Sequence, residues 1–344
     1  MTRTLALTVS AAAFASATSA QNLLVFDYAG FEDPAYHSKF VETHGGSPDF
    51  AFFGDEEEAF QKLVSGFRAD VSHLCAGSVT KWRNSGIIEP WDASKIEAAG
   101  DLNTDLTGAN VTAGSEDLYF LPTDYGSTAI AYNTDEVPEA DVASLDVFLN
   151  PAYAGRMAMP DNVDDAYALA YLATGVTNWQ DVTDEQFQAA TDWLRQAHPN
   201  LRTYWADPAE LTQLMATGEV LISWAWNETL PTLAEQGFPI GFQREAEEGS
   251  SLWLCGYANM AEGEGAEDQA YDFVNAFLDP TSTRPLLEGG WGSANAAAMS
   301  DISEEELAEV GLGPIDAPIL AQLPISNELR EKHSEAFERI KAGF

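Results

Sequence analysis

The sequence predicts an α/β protein with mostly parallel sheets. Short apolar runs of strand length alternate with capped, amphipathic helical stretches along nearly the whole 344-residue chain. A composition of 45% apolar and 21% charged residues describes a soluble globular protein rather than a disordered or fibrous one. No internal repeat or low-complexity linker interrupts the alternation.

Residues 23–26 (Leu-Leu-Val-Phe) read as a buried first strand, ended by a turn around Gly30, Asp33 and Pro34. Phe60, Leu63, Val64 and Phe67 recur at helical spacing behind an acidic first turn, Glu56, Glu57 and Glu58, which suits a helix N-terminus. Residues 70–74 read as the next strand. Residues 128–132, 157–159, 220–226 and 252–257 are further strand candidates. Thr183 and Gln186 form a capping box ahead of Phe187, Ala190 and Leu194. Asp207, Pro208 and Glu210 supply a cap, a first-turn proline and a reciprocal carboxylate, and Gly218 stops that helix. Ala270, Phe273, Val274 and Phe277 form another apolar stripe, stopped before Pro280.

Sixteen Lys and Arg stand against 55 Asp and Glu, a formal net charge of -39. That balance excludes nucleic acid and anionic membrane surfaces as partners, since both draw affinity from basic side chains. The field draws small cations in and keeps small anions out, or else serves solubility alone. No apolar run reaches the ~18 residues of a membrane helix. Two cysteines are too few for a disulfide-rich miniprotein or a four-cysteine metal module. Residues 1–20 read as a signal peptide: Arg3, an apolar stretch over 5–14, then small residues to Ala20, with Ala17 a second cleavage position. No cysteine follows to carry a lipid, so the mature chain is expected free in the periplasm.

Catalytic signatures are sparse. The nucleophile elbow, the phosphate loop and the zinc helix motif are missing from the sequence. His37, His44, His73, His198 and His333 lack metal-ligand spacing and read as surface or strand residues. Asp161, Asp164 and Asp165 cluster after a strand. An exported lyase or hydrolase using Asp161 and Asp165 is the enzymatic alternative, and a solvated loop explains the cluster equally well. Asn110 and Asn227 each begin a glycosylation sequon, a pattern short enough to arise by chance.

Several stretches, in order, resemble one family. Residues 26–31 (Phe-Asp-Tyr-Ala-Gly-Phe) carry a strand into an aromatic turn, and residues 67–71 place Asp70 before a strand. Residues 85–92 (Ser-Gly-Ile-Ile-Glu-Pro-Trp-Asp) follow, then 119–122 leading into 126–133, then 151–156 (Pro-Ala-Tyr-Ala-Gly-Arg), and finally 215–220 before Trp226 and Asn227. Across essentially all of its mature length the chain resembles the spermidine/putrescine-type periplasmic solute-binding proteins of ATP-driven (ABC) importers. The resemblance implies a two-lobed, type II-like periplasmic binding protein fold with a ligand cleft between lobes. It assigns residues 21–132 and about 255–297 to one lobe, and 133–254 with about 298–344 to the other. It implies crossovers near Asn133, Cys255 and Asn295, no catalytic residues, no cofactor or metal, a membrane permease as partner, and a monomer.

The same resemblance maps a site. The aromatic turn of the polyamine binders corresponds to Tyr28 and Phe31; their acid there is missing unless Asp27 or Glu32 takes over. Their acidic pair falls on Asn162 and Asp165, and their tryptophans on Trp226 and Trp253. Cys75 takes the place of a ligand-side serine, and Cys255 that of an aspartate that would grip an amine. Two cysteines in an exported protein usually pair, so a Cys75–Cys255 disulfide on the cleft floor is expected. Tyr28, Phe31, Trp226 and Trp253 would wall a cation, each face contributing roughly 0.5–2 kcal/mol when desolvated, and Asp165 would balance its charge. One acid favours a small amine or a quaternary ammonium over a long polyamine. Arg202 offers the alternative: a ligand carboxylate bound bidentately, hence a zwitterionic ω-amino acid, betaine or opine-like solute.

Overall fold

The computed structural model describes residues 22–103, 117–265 and 267–344. The expected leader and the sequon at Asn110 lie outside them. Among the described residues twelve strands form one continuous sheet: β1 (Leu24–Tyr28), β2 (Asp49–Phe53), β3 (Val71–Cys75), β4 (Ile88–Glu89), β5 (Leu121–Asn133), β6 (Met157–Pro160), β7 (Leu201–Trp205), β8 (Ile222–Trp226), β9 (Ile240–Gln243), β10 (Ser250–Met260), β11 (Gly292–Ser293) and β12 (Ile319–Ala321). The main path is β2-β1-β3-β10-β5-β8-β6-β7.

The sheet has two outer arms, and within each the strands are parallel: β2, β1 and β3 in the first, β8, β6 and β7 in the second. Between them the long β10 and β5 run antiparallel to each other and to their outer neighbours. The sheet is therefore mixed, where the sequence suggested mostly parallel pairing. An apolar run reports burial on both faces, which parallel strands share with any central strand, and carries no sign of direction.

Helices cover both faces of each arm. On the first arm, the helix Glu267–Leu278 buries the expected stripe of Ala270, Phe273, Val274 and Phe277 against Tyr257 and Val25. Phe26, Leu74 and Trp82 fill a separate cluster. The second arm packs Ile130, Trp224 and Leu169 in one cluster and Trp205, Leu211 and Val220 in another. The helix Val163–Ala173 is buried from Asp164 to Leu172, so its sequence reads apolar almost all round.

The capping signals act as read, with small differences. Thr183 and Gln186 close a full box. Asp207 accepts from the Glu210 amide, but the Glu210 carboxylate receives the amide of Ala206, one residue earlier than a box requires. The helix Glu56–Val64 ends before Phe67, because Gly66 adopts φ +105°, a conformation that L side chains rarely adopt. Among the described residues no helix is long and apolar enough to cross a membrane.

Candidate functional site

The segments that follow β6 and β8 meet β5, where Thr128 Oγ1 donates to Asp165 and the Ser127 amide to Asn227 Oδ1, and the end of β3 is tied to β10 through Cys75 and Cys255. Asn162 caps the helix Val163–Ala173, its side-chain oxygen accepting the amides of Asp164 and Asp165. That cap fixes the two aspartates, and they diverge. Asp165, only 3% exposed, accepts from Thr128 Oγ1 at 2.8 Å, Gln322 Nε2 at 2.9 Å and Trp226 Nε1 at 2.6 Å. Burial pushes its carboxyl up, and those three hydrogen bonds oppose the shift. No cation pairs with it among the described residues.

One indole, Trp226, bonds this acid, and a second, Trp253, packs on Gly126, two residues before Thr128. The Trp226 ring stands edge-on to Trp205, with centroids 4.8 Å apart. Trp253 lies across Gly126 so closely that a Cβ there would fall 2.1 Å from its ring, which requires glycine at that position. The Trp253 indole N–H is buried without a partner.

Asp164 turns the other way and meets Arg330, a residue the sequence reading passed over. Arg330 comes from the C-terminal helix Asn327–Lys341 and is 4% exposed. One Nη donates to both Asp164 oxygens, at 2.7 and 3.0 Å, and the other to Ser78 Oγ at 2.6 Å. Glu57 lies 3.3 Å and Glu56 3.7 Å from the same guanidinium. Burial opposes the Arg330 charge, but these carboxylates outweigh it and hold its pKa above the usual value. Glu56 also receives the Tyr28 hydroxyl and the Cys75 amide, and burial pushes its carboxyl up to about 8 against the pull of Arg330.

A second internal cation sits deeper. His73 Nδ1 lies 2.6 Å from Asp27 and Nε2 3.1 Å from Asp124, and Tyr257 donates to the other Asp27 oxygen at 2.7 Å. Burial works against the imidazolium, yet the two carboxylates prevail and push it up to about 10. His37 and His333 are buried too, and burial brings them down to about 4 and about 3, so both are neutral.

The mapped residues divide sharply. Asp165 and Trp226 touch, with Trp253 close by over Gly126. Tyr28 is half-buried and spends its hydroxyl on Glu56. Phe31 is 6% exposed and packs on Trp291 and His73, with ring centroids 4.5 Å apart in each case, as part of the core. Asp27 is committed to His73, and Glu32 is exposed and accepts its own loop amide at Gly30, so neither replaces the missing acid. Arg202 stands at the start of β7, exposed and paired with Glu219 rather than at the strand's carboxyl end. Asp161 is exposed and bonded to Lys341 at 2.6 Å, so it forms no facing pair with the buried Asp165. Asn227 is wholly buried, donating to Gly290 and Val310 carbonyls, which excludes its sequon from glycosylation of the folded chain. Among the described residues no three His, Cys, Asp or Glu could hold a metal.

Cys75 and Cys255 are directly opposed residues of β3 and β10 and form a disulfide. Unreduced protein unfolded in denaturant is expected to show no thiol reactive toward a colorimetric thiol reagent, and two after reduction; two before reduction would contradict the bond.

Comparison with known proteins agrees with this architecture. The family profile described as bacterial extracellular solute-binding protein matches residues 35–308. The spermidine/putrescine-binding periplasmic protein of Escherichia coli is 25% identical, over 98% of this chain and 96% of its own length. Among solved structures, the Tp0655 (TpPotD) lipoprotein of Treponema pallidum aligns over 93% of this chain and 99% of its own, with TM-score 0.76 at 18% identity. The PBP MotA from A. tumefaciens B6, in complex with glucopine, covers the same shares with TM-score 0.74 at 18% identity.

Proposed function

Because this chain belongs to the bacterial extracellular solute-binding proteins, we propose that it captures a small amine-bearing solute in the periplasm and passes it to the membrane permease of an ABC importer. Asp165 carries this reading. A buried carboxylate held only by neutral donors is costly to keep charged, and a ligand cation beside it removes that cost. Trp226 and the nearby Trp253 offer ring faces to the same cation. The relative from E. coli, named for spermidine and putrescine, supports the amine class. The reading gives the protein no catalytic step, no cofactor and no nucleic-acid partner, and takes it as a monomer.

We place the passage between the two lobes inside β5 at Thr128, which pairs with Ser251 of β10 on one side and Trp226 of β8 on the other. The earlier boundary near Asn133 would cut Ala129, Ile130 and Tyr132 from the cluster they pack in.

A zwitterionic solute is the second reading, favoured by the unpartnered Trp253 N–H, which suits a ligand oxygen, and by the glucopine bound to MotA. It no longer involves Arg202.

A thermal-shift screen of putrescine, spermidine, choline and γ-aminobutyrate separates the readings, since a ligand at 100 times its Kd stabilises by about 2.7 kcal/mol. Asp165→Asn is expected to weaken amine binding by roughly 100-fold, the size of effect seen when one partner of a buried charge pair is lost. Unchanged affinity in that variant overturns the assignment.

A further inference from the structure

Seven carboxyl side chains are buried among the described residues, and their partners sort them. Asp27 and Asp124 share His73. Glu56 and Asp164 share Arg330. Asp70 accepts the backbone amides of Leu24 and Gly265. Only Asp165 and Glu228 have neither a cation nor a set of backbone amides.

These two are neighbours. Glu228 follows Trp226 by two residues, and Trp226 is the indole bonded to Asp165. Its Cβ is pressed against Gly290, where an added Cβ would come within 2.7 Å. It is 9% exposed, and its Oε2 has no hydrogen-bond partner. The side chain also lines a groove of about 570 Å³ between the helices Pro208–Ala216 and Thr229–Glu235, with Thr212, Thr232 and Gln236 around it. The titratable groups whose fields couple to Glu228 are Asp165 and Tyr36; both are acids, and no base among the described residues forms an ion pair with it.

We propose that Glu228 is the second acid of the ligand seat, neutral before binding, and that it ionises against the ligand's ammonium group. The step balances simply. The protonated carboxyl and the ammonium become a carboxylate–ammonium pair, and the carboxyl proton passes to the solvent. No bond of the solute is made or broken. Burial pushes the Glu228 carboxyl up to about 8, with its own backbone amide pulling it down and the Asp165 charge adding to the rise, so the unliganded protein carries this proton at neutral pH. The inference rests on the amine reading, and it accounts for how two adjacent acids stay buried without a cation.

Calorimetric titration of choline, in two buffers of different ionisation enthalpy, tests it. Choline has no titratable group in the relevant range, so any proton released comes from the protein. The expected result is about one proton released per choline near pH 6.5, falling to almost none above about pH 9.5. Glu228→Gln is expected to release none at any pH. Should that variant not fold, the pH course of the unaltered protein decides alone. Choline binding with no proton release, or the same release from Glu228→Gln, overturns the role of Glu228 and leaves the amine reading standing. Putrescine serves as a second probe below about pH 8.5, where both its ammonium groups stay charged. If neither choline nor putrescine binds the folded protein, the amine reading falls and the inference falls with it.

Discussion

Arg330→Met is expected to cost about 3–5 kcal/mol of folding stability, the range for breaking a buried ion pair by removing one partner. Arg330 is the shared counter-charge of Asp164, Glu56 and Glu57. Methionine keeps much of the apolar stem and deletes the guanidinium, so the loss reports the charge rather than the volume. The three acids come from two separate parts of the chain, the helix Glu56–Val64 and the helix Val163–Ala173. Without the guanidinium the buried Asp164 and the neighbouring Glu57 are left with no counter-charge, and Glu56, already pushed up to about 8 by burial, loses the group that pulls it down. Arg330→Lys keeps a charge but loses the paired contacts to Asp164, and a loss of about 1–2 kcal/mol is expected. Urea unfolding with an unchanged m-value measures both. A cost below about 1 kcal/mol for Arg330→Met would place the residue among exposed pairs that contribute little.

His73→Asn is the second large effect, also about 3–5 kcal/mol at neutral pH, because Asp27 and Asp124 then face each other with no cation between them. This one has a pH signature. The folded imidazole is pushed from about 6.5 up to about 10, so the folded state holds a proton that the unfolded chain releases. The stabilisation is complete below pH 6.5 and is lost as pH rises through about 10. The urea midpoint of the unaltered protein is therefore expected to fall between pH 7 and 10.5. The gap between it and His73→Asn narrows over the same interval. A gap that stays constant to pH 10.5 would show His73 to be neutral throughout.

Much of the fold was legible in local signals: the opening strand, the cap at Thr183, the stripe ending before Pro280. Strand direction was not, because β5 and β10 owe their antiparallel placement to contacts far along the chain. Sequence order shared with a known family pointed to Asp165, Trp226 and Trp253, of which Asp165 and Trp226 meet in a hydrogen bond, and to the cysteine pair, which is bonded. Arg202 reads from the sequence as a partner for a ligand carboxylate, yet Glu219 occupies it at the surface. Arg330 stayed hidden because it sits in a helix crowded with Glu and Lys, which reads as solvated. His73 finds Asp27 46 residues away and Asp124 51 residues away, distances at which no spacing rule operates. Glu228 lay within an uninformative sequon, and Gln322 carried no signal.

The position of β10 has a consequence for synthesis. It lies between the two arms, clasped between β3 and β5, but it belongs to the last third of the polypeptide. A nascent chain halted before Ser250 leaves β3 and β5 with bare edges whose amides and carbonyls recruit other chains. Truncation anywhere ahead of Met260 is thus a route to insoluble protein, and the amino-terminal arm is no independent folding unit.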